Sequence, residues 1–169
     1  MSEKQAKIAY LSIGSNLGDK KRNIELAKLI LKKNNISIIK SSKNYETLSW
    51  PNKKNPKFIN IVLKIKTNLN PMDLMEKCLF IEKQMGRFRT KKNAPRIIDI
   101  DIIDYDKRKI SVLKKHNLVI PHPKMHQRNF VLLPLFEIAK NWYHPIKKLT
   151  INKLIYSLKN NQLISIKII

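Results

Sequence analysis

Apolar and polar positions change period along the chain, and the changes mark its elements. Residues 7–13 alternate with period two and predict a strand, which runs into the turn Gly14-Ser15-Asn16-Leu17-Gly18. From Asp19 the spacing becomes helical. Ile24, Ala27 and Leu31, with Leu26 and Ile30 beside them, form an apolar stripe, and Asp19 is the expected N-cap. Asn34-Asn35 stops that helix. Residues 36–45 read as a second strand, and a loop with Trp50, Pro51 and Pro56 follows. Residues 58–66 alternate strongly, with Phe58, Asn60 and Val62 on one side and Ile59, Ile61 and Leu63 on the other. Asn70-Pro71 opens a second helix, proline at its first position, that runs to Met85 and ends at Gly86.

A basic loop over 87–96 leads into an apolar strand over 97–105 and a short hairpin around 106–111. Residues 129–140 read as a helix that Pro134 must kink or restart, and 151–158 as a last short helix. The order β-α-β-β-α-β is the ferredoxin-like arrangement. The expected fold class is α+β, a mainly antiparallel sheet with packed helices and extra C-terminal elements. With 169 residues, no repeat and no linker, residues 1–169 are expected to form one domain.

Composition narrows the setting. Cys78 is the single cysteine, so no internal disulfide is expected, which suits a reducing cytosol. The polar N-terminus gives no leader signal, and the apolar run 163–169 falls far short of the ~20 residues a membrane span needs. A cytoplasmic protein with no membrane partner is expected. Lys and Arg number 35 against 12 Asp and Glu, a net charge of +23. Such a balance attracts polyanions. The excess is mostly lysine, spread along the whole chain beside abundant Ile and Asn, and a solvated basic surface produced by compositional drift is the better account of it.

The most informative stretch is Pro95-Arg96-Ile97-Ile98-Asp99-Ile100-Asp101-Ile102-Ile103. On a strand, Asp99 and Asp101 share a face while Ile98, Ile100 and Ile102 take the other. Adjacent carboxylates repel and lose hydration when covered, so either the face is wet and lysine- or arginine-paired, or a hard cation such as Mg²⁺ sits there. Arg87, Arg89, Lys91, Lys92 and Arg96 lie just upstream, the layout that phosphoryl-type transfer needs. The turn 14–18 lacks the Gly-Lys-Ser/Thr ending of a phosphate loop and reads as a tight strand-to-helix connection. His122, held between Pro121 and Pro123 near Lys124 and Arg128, is positioned to contact a phosphate. No His/Cys spacing fits zinc.

Three segments together resemble one family. Residues 93–103, the turn 14–18 and the segment 121–135 are similar, in the same order, to the hydroxymethyldihydropterin pyrophosphokinases. The resemblance implies transfer of pyrophosphate from ATP to 6-hydroxymethyl-7,8-dihydropterin in folate biosynthesis, by a monomer acting on small molecules. It implies that Asp99 and Asp101 hold a pair of Mg²⁺ ions and that Arg87 and Arg96 act with them in catalysis. Arg89, Lys92, Ile103, His122 and Arg128 match ATP-side positions. Thr47, Leu48, Trp50, Phe58, Asn60, Glu82 and Phe130 match pterin-side positions, with Phe58 and Phe130 as the aromatic sandwich. Asn93 stands where the family often has Trp, and Leu79 where it can have a glutamine. A basic ferredoxin-like nucleic-acid binder is the other class considered. It has no use for Asp99 and Asp101 on one face, and no strand carries the dense aromatics of an RNA-recognition sheet, so no nucleic-acid partner is expected.

Overall fold

The computed structural model describes residues 5–88, 93–113 and 117–169. Strand β1 (Lys7–Ser15) leads to helix α1 (Lys20–Lys33), then strands β2 (Ser37–Ser41), β3 (Tyr45–Thr47) and β4 (Phe58–Thr67), helix α2 (Pro71–Gln84) and strand β5 (Asp99–Tyr105). A hairpin of β6 (Ile110–Val112) and β7 (Leu118–Ile120) follows, then α3 (Asn129–Ile138), α4 (Ile151–Tyr156), α5 (Asn160–Ile164) and β8 (Ile166–Ile168). The main sheet runs β5-β1-β4-β3-β8, with β2 also on β4, and its pairings are antiparallel. This is the expected α+β, ferredoxin-like arrangement, its second strand divided between β2 and β3.

Alternation along the strands builds two cores. Leu11 and Ile13 of β1, Ile61 and Leu63 of β4, and Ile100 and Ile102 of β5 point to one face. There they meet Ile24, Ala27 and Leu31 of α1 and Leu74, Cys78 and Ile81 of α2. Truncating a fully buried leucine here to alanine costs about 2–5 kcal/mol. On the opposite face Tyr10, Val62 and Ile103 pack under Val131, Leu132 and Leu135 of α3 and Ile151 and Leu154 of α4. The candidate site occupies the same face, further along the strands, around Gly14, Asn60, Asp99 and Asp101.

Helix boundaries follow the anticipated caps. The Asp19 carboxylate accepts from Arg22 N–H at 3.1 Å, and Asn70 Oδ1 accepts from Asp73 N–H at 2.9 Å. Gly86 stops α2 with φ +87°, a left-handed conformation that favours glycine. Within α1 the stripe is narrower than the sequence suggests, since Leu26 is 44% exposed.

Other elements differ from expectation. The single strand expected over 36–45 is divided because Ser42 enters the ladder with its side chain. Val62 N–H donates to Ser42 Oγ at 3.0 Å, and Ser42 N–H donates to Val62 O at 3.0 Å. The hairpin expected around 106–111 is displaced: Asp106 and Lys107 turn the chain with positive φ, and β6 pairs with β7 beyond it. The apolar C-terminal run, for which the sequence predicts no element, forms β8 on the edge of β3. The register of β5 on β1 slips between Tyr10 and Leu11, whose partners are Asp104 and Ile102. Ile103 reaches the second core by the alternation that places Asp99 and Asp101 on that face, and the bulge puts Asp104 there as well, opposite Tyr10, where it accepts from Trp142 Nε1–H at 2.8 Å.

Candidate active site

The site is a row across three strands. Asp99 of β5 lies opposite Gly14 of β1, and Gly14 lies opposite Asn60 of β4. Asp101 lies opposite Ser12, so both aspartates share the face on which Phe58 and Asn60 stand. Gly14 is required by close approach: a Cβ there would meet Asn60 Oδ1 at 2.9 Å and Phe58 Cδ1 at 3.5 Å. The missing side chain lets both residues lean over β1. Asn60 is oriented by its Nδ2, which donates to Thr47 Oγ1 at 2.9 Å.

Cations surround the two carboxylates. Arg87, just past the end of α2, donates through Nη1 to Asp99 Oδ1 and also contacts Glu82 Oε1. Glu82 is buried and its Oε1 accepts from Ile100 N–H at 2.7 Å, so it holds Arg87 against β5. Arg96 Nη2 lies 2.7 Å from Asp99 Oδ2. Arg128 Nη1 lies 3.2 Å from Asp101 Oδ2, and His122 Nε2 lies 4.0 Å from the same oxygen. Two of these arginines also cover aromatic rings: the Arg96 guanidinium is 5.2 Å from the Phe58 centroid, and that of Arg128 is 5.5 Å from Phe130.

The carboxylates nonetheless strain against each other. Burial, and then the charge of Asp99, push the Asp101 carboxyl above its ordinary range, against the opposing pull of Arg128 and Arg96. A divalent cation would relieve this. No group of three or more His, Cys, Asp or Glu side chains converges on a metal position among the described residues. The protein's share of any ion here is therefore the carboxylate pair, with water or phosphate oxygens completing the shell. That donor set fits Mg²⁺.

His122 is neutral in this setting. Burial, and then the charge of Arg128, lower its pKa to about 4. Lys124 N–H donates to Nδ1 at 3.1 Å, which assigns the ring proton to Nε2, the nitrogen that faces Asp101. The loop is anchored by His122 N–H, which donates to Ile103 O at 3.0 Å.

The remaining expected positions divide. Thr47 is buried and joined to Asn60, whereas Leu48 is 40% and Trp50 77% exposed on the following loop. The Ile103 side chain is fully buried, and its carbonyl is the part that serves the site, by holding His122. Arg89 and Lys92 lie outside the described residues. Asn93 adopts a left-handed φ of +62°. Asn16 and Ser49 were not anticipated. Both are buried, and Asn16 joins the 14–18 turn to Arg96 and to the loop around Ser49. The only signal in the sequence was an asparagine inside a turn already accounted for by its glycines.

A sequence profile of the family described as 7,8-dihydro-6-hydroxymethylpterin-pyrophosphokinase (HPPK) matches residues 10–140. The chain belongs to the HPPK family. Among its relatives is the folic acid synthesis protein FOL1 of Dictyostelium discoideum, 42% identical over 153 residues, covering 90% of this chain and 23% of that protein. The 2-amino-4-hydroxy-6-hydroxymethyldihydropteridine pyrophosphokinase of Bacillus subtilis is 37% identical over 134 residues, covering 79% of this chain and 78% of that one. The chain thus spans about a fifth of the length of the Dictyostelium and Schizosaccharomyces pombe proteins, 23% and 19%. The HPPK fold is also that of Plasmodium falciparum HPPK-DHPS crystallised with pterin and p-hydroxybenzoate. The TM-score is 0.71 at 19% identity, covering 92% of this chain and 44% of that chain. The matched HPPK segment contains every residue of the cross-strand row.

Proposed function

We propose that this chain transfers a pyrophosphoryl group from ATP to 6-hydroxymethyl-7,8-dihydropterin, releasing AMP and the dihydropterin diphosphate. The observation that carries the reading is the row Asp99–Gly14–Asn60. It sets a carboxylate pair ringed by arginines beside an aromatic and an amide, which is a phosphate-plus-heteroaromatic site on one sheet face. Family membership and relatives named for this activity support it.

The pterin hydroxymethyl oxygen attacks the β-phosphorus of ATP. The bond from that phosphorus to the α,β-bridging oxygen breaks, AMP leaves with the bond's electron pair, and the hydroxyl proton passes to solvent. Phe58 and Phe130 sandwich the ring, while Asn60 and Thr47, with the 48–50 backbone, read its edge. Arg87 and Arg96, with Arg89 and Lys92, offset charge on the transferring group. Arg96 Nε–H is buried without a hydrogen-bond partner among the described residues, a donor suited to a phosphate oxygen. His122 and Arg128 take the nucleotide side. Asp99 and Asp101 would hold two Mg²⁺ ions, which would supply charge neutralisation for the triphosphate. Glu82 acts behind the site by fixing Arg87. The proposed enzyme works as a monomer in the cytoplasm, as the family resemblance implies.

The test is product analysis. ATP, the reduced hydroxymethylpterin and Mg²⁺ should yield AMP and pterin diphosphate in equal amounts, with none formed when Mg²⁺ is chelated. ADP in place of AMP would overturn the reading.

A further inference from the structure

We infer that Asn16 is a positioning residue that ties the pterin-side loop to Arg96, so that the two halves of the site are set by one buried side chain. The inference rests on the reading above for what the two halves bind. Asn16 is 2% exposed and makes no contact that the reaction itself needs. Its amide is divided between two segments far apart in sequence. Arg96 N–H donates to Asn16 Oδ1 at 2.8 Å, and Asn16 N–H returns a bond to Arg96 O at 3.2 Å. This pair brackets the Arg96 backbone from both sides. The other end of the amide donates through Nδ2 to Ser49 Oγ at 3.3 Å and to Pro56 O at 3.2 Å. Ser49 Oγ itself donates to Pro56 O, so the loop between them is closed on itself before Asn16 joins it to the rest.

The consequence lies in what Arg96 touches. Its side chain reaches Asp99 Oδ2 and covers the Phe58 ring, so its backbone position sets both contacts. An asparagine suits this place because one planar group offers an acceptor at one end and two donors at the other. Aspartate keeps the acceptor for Arg96 but cannot donate to Ser49 or Pro56. Alanine loses both ends. The two variants therefore separate the two connections.

The experiment has a structural and a kinetic arm, both on the full chain. The protein contains two tryptophans. Trp50 sits exposed on the tied loop, whereas Trp142 is buried and bonded to Asp104. Time-resolved anisotropy should show a larger fast component from Trp50 in Asn16→Asp and Asn16→Ala, against a Trp50→Phe background that reports Trp142 alone. An unchanged fast component in both variants overturns the inference, whether or not the chain makes AMP. In the kinetic arm, Asn16→Asp and Ser49→Ala should raise the pterin KM by about tenfold with kcat within about threefold of wild type, since they release one hydrogen-bonded end. Asn16→Ala should also lower kcat by about tenfold, because Arg96 N–H loses its side-chain acceptor and keeps only the backbone bond from residue 16. If the variants lose only active fraction, with KM and kcat per folded site unchanged, Asn16 is merely structural and the inference fails. A wild-type chain that forms no AMP would defeat the reaction assigned above, while the Trp50 measurement still decides the tie.

Discussion

Arg96 serves Asp99 and Phe58 at once: one guanidinium nitrogen lies 2.7 Å from Asp99 Oδ2 while its Cζ sits 5.2 Å from the Phe58 centroid. A lysine could supply the charge but not the flat, forked geometry that meets a ring and a carboxylate together. Arg96→Ala should lower kcat about 100-fold, comparable with loss of one transition-state donor, and change ATP affinity much less. Arg96→Lys should recover only part of the rate. Steady-state kinetics with nucleotide binding measured in parallel checks both; an unchanged rate in the alanine variant would remove Arg96 from the machinery.

Asp99 and Asp101 should separate in stability while agreeing in activity. Asp99 is the acceptor for Arg87 and Arg96, and Glu82 is already engaged with Arg87. Asp99→Asn therefore leaves cationic groups with a weaker partner and should lower the unfolding temperature. The Asp101 carboxyl is pushed up by burial and by Asp99, so its charge opposes folding once the pH exceeds its ordinary range. Asp101→Asn should leave the ligand-free unfolding temperature unchanged or raised. Both should reduce AMP release by at least about 100-fold and abolish the thermal stabilisation given by Mg²⁺ with a non-hydrolysable ATP analogue. Equal destabilisation by both substitutions would contradict the asymmetry.

Much of this site was legible because its information is periodic. Period two placed Asp99 with Asp101 and Phe58 with Asn60, and that parity survives in the structure. Parity cannot reveal which strands become neighbours. The Asp99–Gly14–Asn60 row depends on β1 lying between β5 and β4, and in the sequence alone Gly14 reads as part of a turn. Short-range patterns also miss events decided by a distant partner. Ser42 breaks a strand by bonding Val62, the β5 bulge turns Asp104 to the face where Trp142 meets it, and β8 exists because β3 offers it an edge. Asn16 belongs to the same class, since Ser49, Pro56 and Arg96, its three partners, all lie at least 33 residues away.

Phe130 should behave as a ligand contact more than a core residue. It begins α3 at the edge of the second core, with the Arg128 guanidinium 5.5 Å from its centroid. Phe130→Ala should weaken pterin binding more than about tenfold, given the area and stacking an aromatic face provides, while ATP binding changes less than about threefold. Isothermal titration with each ligand separately distinguishes the roles. Parallel losses for the two ligands, tracking a fall in unfolding temperature, would make Phe130 a packing residue.

Acid should destabilise the fold through His144. Its ring is buried, edge-on to Trp142 at 5.6 Å and to His126 at 6.3 Å, and its Nδ1 accepts from Ile146 N–H and Lys147 N–H, both at 3.2 Å. Burial, then His126 and Lys147, lower its pKa from 6.5 to about 4. Between those values the unfolded chain takes up a proton that the folded chain refuses, so stability falls as pH drops below 6.5 and keeps falling toward 4. His122, lowered to about 4 by burial and Arg128, adds to the same window. Urea midpoints taken at several values between neutrality and mild acid should decline steadily. His144→Asn keeps an acceptor near the two backbone donors and has no proton to gain, so it should flatten the decline without removing the part due to His122. A variant that declines as steeply as wild type would show that His144 is not the group being titrated.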